Sequence, residues 1–249
     1  MIEVYIGLHS GGWAHDGRTQ GWAAHDDPAL GLEHWAREIG DQHAGRWRSA
    51  RADLWLSGAL ARPFLCGPVQ GLKNWREADA FAASIARDAT GLAGPCRVQL
   101  EDWPGETAVV CTAMELAMAE AIETVAASCR VTWRSVRPRW AVALDDLLAQ
   151  RPSTKLVAVA EEDALTLLCE VPASSALSAV MALATTYSPV PDPQQATALW
   201  HRTMLSQDVR VDDAWLLRLL APGGAEASEV PSPRGAWPQL LQVSEGAAP

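Results

Sequence analysis

Lysine is almost missing from this 249-residue chain: Lys73 and Lys155 are the only two, and arginine supplies the other cations. With 20 basic residues against 30 acidic ones, the formal net charge is −10. That balance disfavours nonspecific binding to a phosphate backbone, which depends on clustered cations, so no nucleic-acid partner is expected. Phenylalanine and tyrosine are also scarce, with two of each. No apolar run reaches the roughly 18 residues that span a bilayer. The N-terminal Met1-Ile2-Glu3-Val4-Tyr5 starts like a strand and lacks the basic, then apolar layout of a signal peptide. The expectation is a cytoplasmic protein with no direct membrane insertion. The five cysteines (Cys66, Cys96, Cys111, Cys129 and Cys169) include no CxxC pair, so neither a disulfide framework nor a zinc site is indicated. GxSxG, GxxxxGK(S/T) and a GxGxxG opening a helix are absent as well, which removes the common hydrolase, P-loop and dinucleotide signatures.

What is present is a pattern that occurs twice. Three short apolar strands lead into a helix and then another strand, once over about Ile2 to Ser57 and again over about Thr154 to Leu220. The 49% hydrophobic content is ample for a sizeable core. In the first copy Val4 to Leu8 reads as a strand and His9-Ser10-Gly11-Gly12 as a turn. Short strands around Trp13 to His15 and Trp22 to Ala24 flank Asp16-Gly17, a strong hairpin signal. Asp27 suits an N-cap and Pro28 the first helical position, and Leu32, Trp35, Ala36 and Ile39 give that helix an apolar stripe. Ala52 to Leu56 is the next strand.

The middle segment predicts an extended piece at Pro63 to Cys66 and a helix over Glu77 to Thr90 stopped by Gly91. Ala78, Phe81, Ile85 and Ala89 form the expected buried face of that helix. Strands follow at Arg97 to Leu100 and Ala108 to Cys111, then a helix over Met114 to Ala127, a strand over Arg130 to Val136 and a helix ending near Gln150. The second copy predicts strands at Lys155 to Val159, Leu165 to Glu170 and Ala176 to Leu183, the last ambiguous with a helix. A helix over Gln194 to Ser206 and a strand over Ala214 to Leu220 complete it. Residues 225–249, rich in Pro, Gly, Ser and Ala, read as a flexible tail in which Trp237, Leu240 and Leu241 could dock.

This α/β layout resembles the duplicated, ribonuclease-H-like core of the actin-like fold. Within that superfamily it is most similar to the M component of type IV pilus assembly and the cytoplasmic domain of the type II secretion L component. Three stretches carry the resemblance. They are Leu54-Trp55-Leu56-Ser57-Gly58 running to Phe64, Ala108 to Met114 with its helix and Arg130 to Pro138, and Val157 to Glu161 running into Leu165 to Leu168. The resemblance implies a first lobe over 1–150 with a small α/β module inserted at about 60–112. It also implies a shortened second lobe over 151–224 and the tail over 225–249.

An actin-like ATPase places glycine-rich and acidic turns where phosphates meet backbone N–H groups. The resemblance puts such turns at Gly11 and Gly12, at Glu161-Glu162-Asp163, and at Gly223 and Gly224, and these four glycines are the nucleotide candidates. The first turn lacks the family's Asp. The second is acidic without a glycine, and repels phosphates unless a metal intervenes. Pro231 and Pro233 follow the third too closely for the helix that backs an adenine. No catalytic residue, metal ligand set or cofactor is therefore expected, with ATP the one alternative. A ribonuclease-H-like nuclease needs carboxylates on its first strand, and Glu3 is alone there.

The resemblance implies a non-enzymatic scaffold that binds protein subunits of an inner-membrane assembly platform. A degenerate actin-like ATPase or small-molecule kinase is the alternative. Five of the six histidines (His9, His15, His25, His34 and His43) crowd the first copy. Trp13-Ala14-His15-Asp16 and Ala24-His25-Asp26 could face each other across a hairpin as metal ligands, but strand ends and a helix cap explain them more simply. Of twelve tryptophans, Trp35, Trp55, Trp75 and Trp140 fit the core, while Trp13, Trp22 and Trp237 sit nearer turns or the tail. Arg134, Arg137 and Arg139 could form a cationic patch beside Trp133 and Trp140, although a solvated strand end is the simpler reading.

Overall fold

A computed structural model describes residues 1–45, 48–100, 102–104, 108–150, 156–161, 163–170, 180–186, 214–219 and 240–243. Its first sheet has the order β3-β2-β1-β4-β8, built from β1 (Ile2–Ile6), β2 (Ser10–His15), β3 (Arg18–Ala24), β4 (Ala50–Leu56) and β8 (Val131–Pro138). β1 runs antiparallel to β2 and parallel to β4, so it lies at the centre and is buried on both faces. Asp16 and Gly17 close the β2–β3 hairpin with φ of 48° and 74°, the left-handed pair that a two-residue I′ turn requires.

Helix α1 (Pro28–His43) starts as its sequence dictates, with the Asp27 side chain accepting from Ala29 N–H at 2.8 Å. Its stripe of Leu32, Trp35, Ala36 and Ile39 is buried. It packs with Met118, Ile122 and Val125 of α3 (Leu116–Ser128) against Ile2, Val4, Ile6, Leu54 and Leu56. Period-2 alternation puts those strand residues on one face of the sheet. Tyr5, Ala14, Trp22 and Trp55 share the opposite face.

Between β4 and β8 the chain builds a separate three-stranded sheet of order β5-β7-β6, from β5 (Ala61–Cys66), β6 (Cys96–Leu100) and β7 (Val109–Glu115). Helix α2 (Trp75–Thr90) covers it and ends at Gly91, whose φ of 69° suits a left-handed cap. The face α2 buries differs from the expected one. Ala78, Ala82, Ala86 and Thr90 point inward, while Phe81 is exposed. Three alanines spaced four residues apart, Ala78, Ala82 and Ala86, give the helix a small-residue face toward the strands, with Ile85 partly buried beside it. Trp75, expected in the core, is 52% exposed at the start of the helix.

The second five-stranded sheet repeats the first in its order, β11-β10-β9-β12-β13. Its strands are β9 (Leu156–Ala160), β10 (Leu165–Glu170), β11 (Val180–Thr186), β12 (Ala214–Leu219) and β13 (Leu240–Val243). β9 again sits centrally, antiparallel to β10 and parallel to β12. The repetition stops at the fifth strand. β8 is parallel to β4, but β13 is antiparallel to β12. Leu240–Val243 thus corrects the expectation of a flexible tail over those four residues, because pairing with β12 satisfies backbone groups that a free tail would leave to water. The expected helix over Gln194 to Ser206 lies outside the described residues.

Helix α4 (Arg139–Gln150) joins the two sheets. Trp140, Ala143 and Leu147 pack on Val157, Val159 and Leu168, and the Trp140 indole donates to the Ala61 carbonyl at 2.8 Å.

Candidate functional site

The two central strands end in equivalent turns, and those turns meet. After β1, Gly7 N–H donates to Ser10 C=O at 2.8 Å. After β9, Glu161 N–H donates to Ala164 C=O at 2.8 Å. β4 ends beside the first turn, with Ser57 N–H donating to Ile6 C=O at 2.9 Å, and Gly58 follows. Backbone N–H groups exposed at a turn can hold an anion. Here the protein's own carboxylates occupy them. Asp163 Oδ2 accepts from Leu8 N–H at 2.5 Å and from the Ser57 hydroxyl at 2.9 Å. Glu161 Oε2 accepts from Gly58 N–H at 2.7 Å, and Oε1 lies 3.4 Å from the Tyr5 hydroxyl.

Space at this corner is tight. A Cβ on Gly58 would come within 2.6 Å of Thr166 Oγ1 and 3.0 Å of Glu161 Oε2, and one on Gly7 within 2.9 Å of Asp163 Oδ2. Both carboxylates are buried, each 3% exposed. Burial, and then the neighbouring Asp163, push the Glu161 carboxyl up to about 8, against the opposing pull of the Gly58 N–H, Arg139 and Tyr5. Burial also raises the Asp163 carboxyl, although Leu8 N–H and the Ser57 hydroxyl favour its ionised form. Asp163 Oδ1 and the Thr166 hydroxyl have no hydrogen-bond partner among the described residues.

Gly11 and Gly12, expected in a phosphate turn, lie within β2 opposite Ile6 and Tyr5; the turn itself is Gly7 to His9. Their smallness serves sheet packing. A Cβ on Gly11 would meet the Ile6 side chain and the Tyr5 carbonyl at 2.9 Å, and one on Gly12 would run into Trp22. Gly223 and Gly224 lie outside the described residues. The glycine whose N–H is taken at this corner is Gly58, in a stretch the sequence singled out only as a pattern.

His15 and His25 do not face each other. β2 and β3 pair Ser10 with Ala24 and His15 with Arg18, so the two histidines fall at opposite ends of the hairpin. His15 instead meets His43 edge to face, with ring centroids 4.8 Å apart.

The three arginines do not form one patch. Arg134 pairs with Asp53, Arg137 pairs with Asp145, and Arg139 is buried with its guanidinium 4.4 Å from the Trp55 ring centre. Trp13, placed near a turn by sequence, is fully buried, because the alternation of β2 turns it toward α1. Trp237 lies outside the described residues.

A second feature is a groove of about 1010 Å³ between the first sheet and the β5-β7-β6 sheet. Leu56, Val98, Leu100, Ile122, Trp133 and Val136 supply its apolar lining. β8 and β6 are edge strands of their respective sheets, and both border it. No helix among the described residues is long and apolar enough to cross a membrane.

No protein-family model matches the chain, and no curated protein matches it. Solved structures do. A protein with an actin-like ATPase fold and unknown function from Bacteroides thetaiotaomicron aligns over 90% of this chain and 83% of its own, with 8% identity and a TM-score of 0.50. The chain therefore has an actin-like fold. It is also similar to the cytoplasmic domain of EpsL, an inner-membrane component of the type II secretion system of Vibrio cholerae, at 12% identity and a TM-score of 0.43 over 73% of this chain and 71% of that one. Similarity to a PilM-PilN type IV pilus biogenesis complex reaches 12% identity and a TM-score of 0.44, over 84% of this chain and 66% of that chain.

Proposed function

We propose that this chain is a non-enzymatic, cytoplasmic scaffold that has kept the two-lobed actin-like frame and given up the nucleotide. It would serve a type IV pilus or type II secretion-like assembly platform at the inner membrane and bind a peptide or domain of a membrane subunit. The observation that carries this reading is the corner where Glu161 and Asp163 take the N–H groups of Gly58 and Leu8. An incoming phosphate would have to displace carboxyl groups that already hold these N–H donors, and whichever of the two is ionised would repel it. The assignment to pilus or secretion machinery comes from the sequence resemblance.

The groove supports the binding half of the proposal. It is at the upper end of the roughly 300–1000 Å³ of small-molecule pockets, and it is flanked by two sheet edges that an extended segment can extend by backbone pairing. Val136→Arg places a charge in its apolar lining. The test is to look for a bitopic membrane protein encoded beside this chain and to co-purify the two. Capture by the wild type and loss with Val136→Arg support the scaffold. A metabolic gene neighbourhood with no such protein counts against it.

A further inference from the structure

We infer that the turn carrying Glu161 and Asp163 is a proton-gated latch between the two sheets, closed while Glu161 holds a proton and released when that proton leaves to solvent. This stands on the geometry of the turn and holds whether or not the chain is a scaffold. Four groups of the first half reach across to this one turn: Leu8 N–H, the Ser57 hydroxyl, Gly58 N–H and the Tyr5 hydroxyl. Two carboxylates buried side by side cannot both ionise cheaply, because each is desolvated and each repels the other.

Among the described residues, the groups facing them do not neutralise a second charge. On the same turn is Asp163 itself. β1 contributes Tyr5 and, further back, Glu3. His9 faces Asp163 from the first turn, and His25 acts on it from the end of β3. α4 contributes Arg139, with Asp146 behind it. Among the described residues Arg139 is the one buried guanidinium facing Glu161, and burial already pulls it below its ordinary range. Asp163 Oδ1, with no partner among the described residues, marks the side on which the corner is under-satisfied.

The sign follows from linkage. Glu161 has an ordinary carboxyl value of 4.5 when released and about 8 when closed. The closed state is therefore fully favoured below 4.5, loses ground as pH rises, and levels off above 8. One linked proton makes the opening constant grow about tenfold per pH unit within that window.

Amide hydrogen exchange at Leu8 and Gly58 over pH 5–9, corrected for intrinsic rates, reads the latch directly, with Ile39 in the middle of α1 as an internal reference. Protection at Leu8 and Gly58 should fall by about tenfold per unit between pH 5 and 7 while Ile39 holds, and Glu161→Gln should flatten the profile. A flat wild-type profile, a Glu161→Gln profile that keeps the wild-type slope, or a parallel loss at Ile39 would overturn the inference. If Glu161→Gln fails to fold, the wild-type profile decides.

Discussion

At the scale of the residue, small atoms at fixed points carry the account. Gly58 is the sharpest case. Its N–H is held by Glu161 Oε2, and any side chain would press on Thr166 Oγ1 and on that same carboxylate. Gly58→Ala should therefore destabilise the protein by about 1–3 kcal/mol, read as a lower denaturant midpoint, because a buried methyl group with nowhere to go forces its neighbours off their positions. Asp27 makes the opposite kind of contribution. It lies on the surface and caps a helix, so Asp27→Ala should cost about 1 kcal/mol in thermal or denaturant unfolding. Asp27 could be read directly from Asp-Pro before an apolar stripe. Gly58 could not, because its need for smallness comes from Thr166 and Glu161, more than a hundred positions away.

At the scale of the element, local signals worked where the cause was local. Asp16-Gly17 marks its hairpin and Gly91 its helix stop through left-handed backbone angles, and Pro28 marks its helix start through a φ already fixed for the helix and no N–H to satisfy. Gly91→Ala should cost about 1–2 kcal/mol for holding a Cβ in the left-handed region. Where packing against another element decides, sequence periodicity misled. The sequence places Ala78, Phe81, Ile85 and Ala89 on the buried face of α2, but the β5-β7-β6 sheet takes Ala78, Ala82 and Ala86, with Ile85 only partly buried against it and Phe81 left exposed. Enlarging that row with Ala82→Leu should cost about 1–3 kcal/mol by overpacking, measured by the same unfolding curve. Trp13 and Trp75 were misplaced for the same reason, since neither neighbour that buries the one nor the gap that exposes the other is adjacent in sequence.

At the scale of the whole molecule, the duplicated strand order is what sequence and structure share most fully. In both halves a central strand is antiparallel to the next strand and parallel to a later one, β4 in the first half and β12 in the second, which is how the sheets come to present equivalent turns to each other. Sequence could place the acidic turn at the end of β9 and note its lack of glycine. It could not show that the carboxylates would reach over and satisfy the first half's amides, because that depends on how the two sheets face each other. On the proposed reading, this contact closes the corner of an actin-like frame with the protein's own carboxyl groups.

The most direct measurement of that claim is an equilibrium titration of the intact protein with ATP and Mg²⁺ at neutral pH. The account predicts no saturable binding at millimolar nucleotide, because the phosphate-facing amides of Leu8 and Gly58 are already taken. Micromolar binding that Gly224→Trp abolishes would contradict it and restore the ATPase reading.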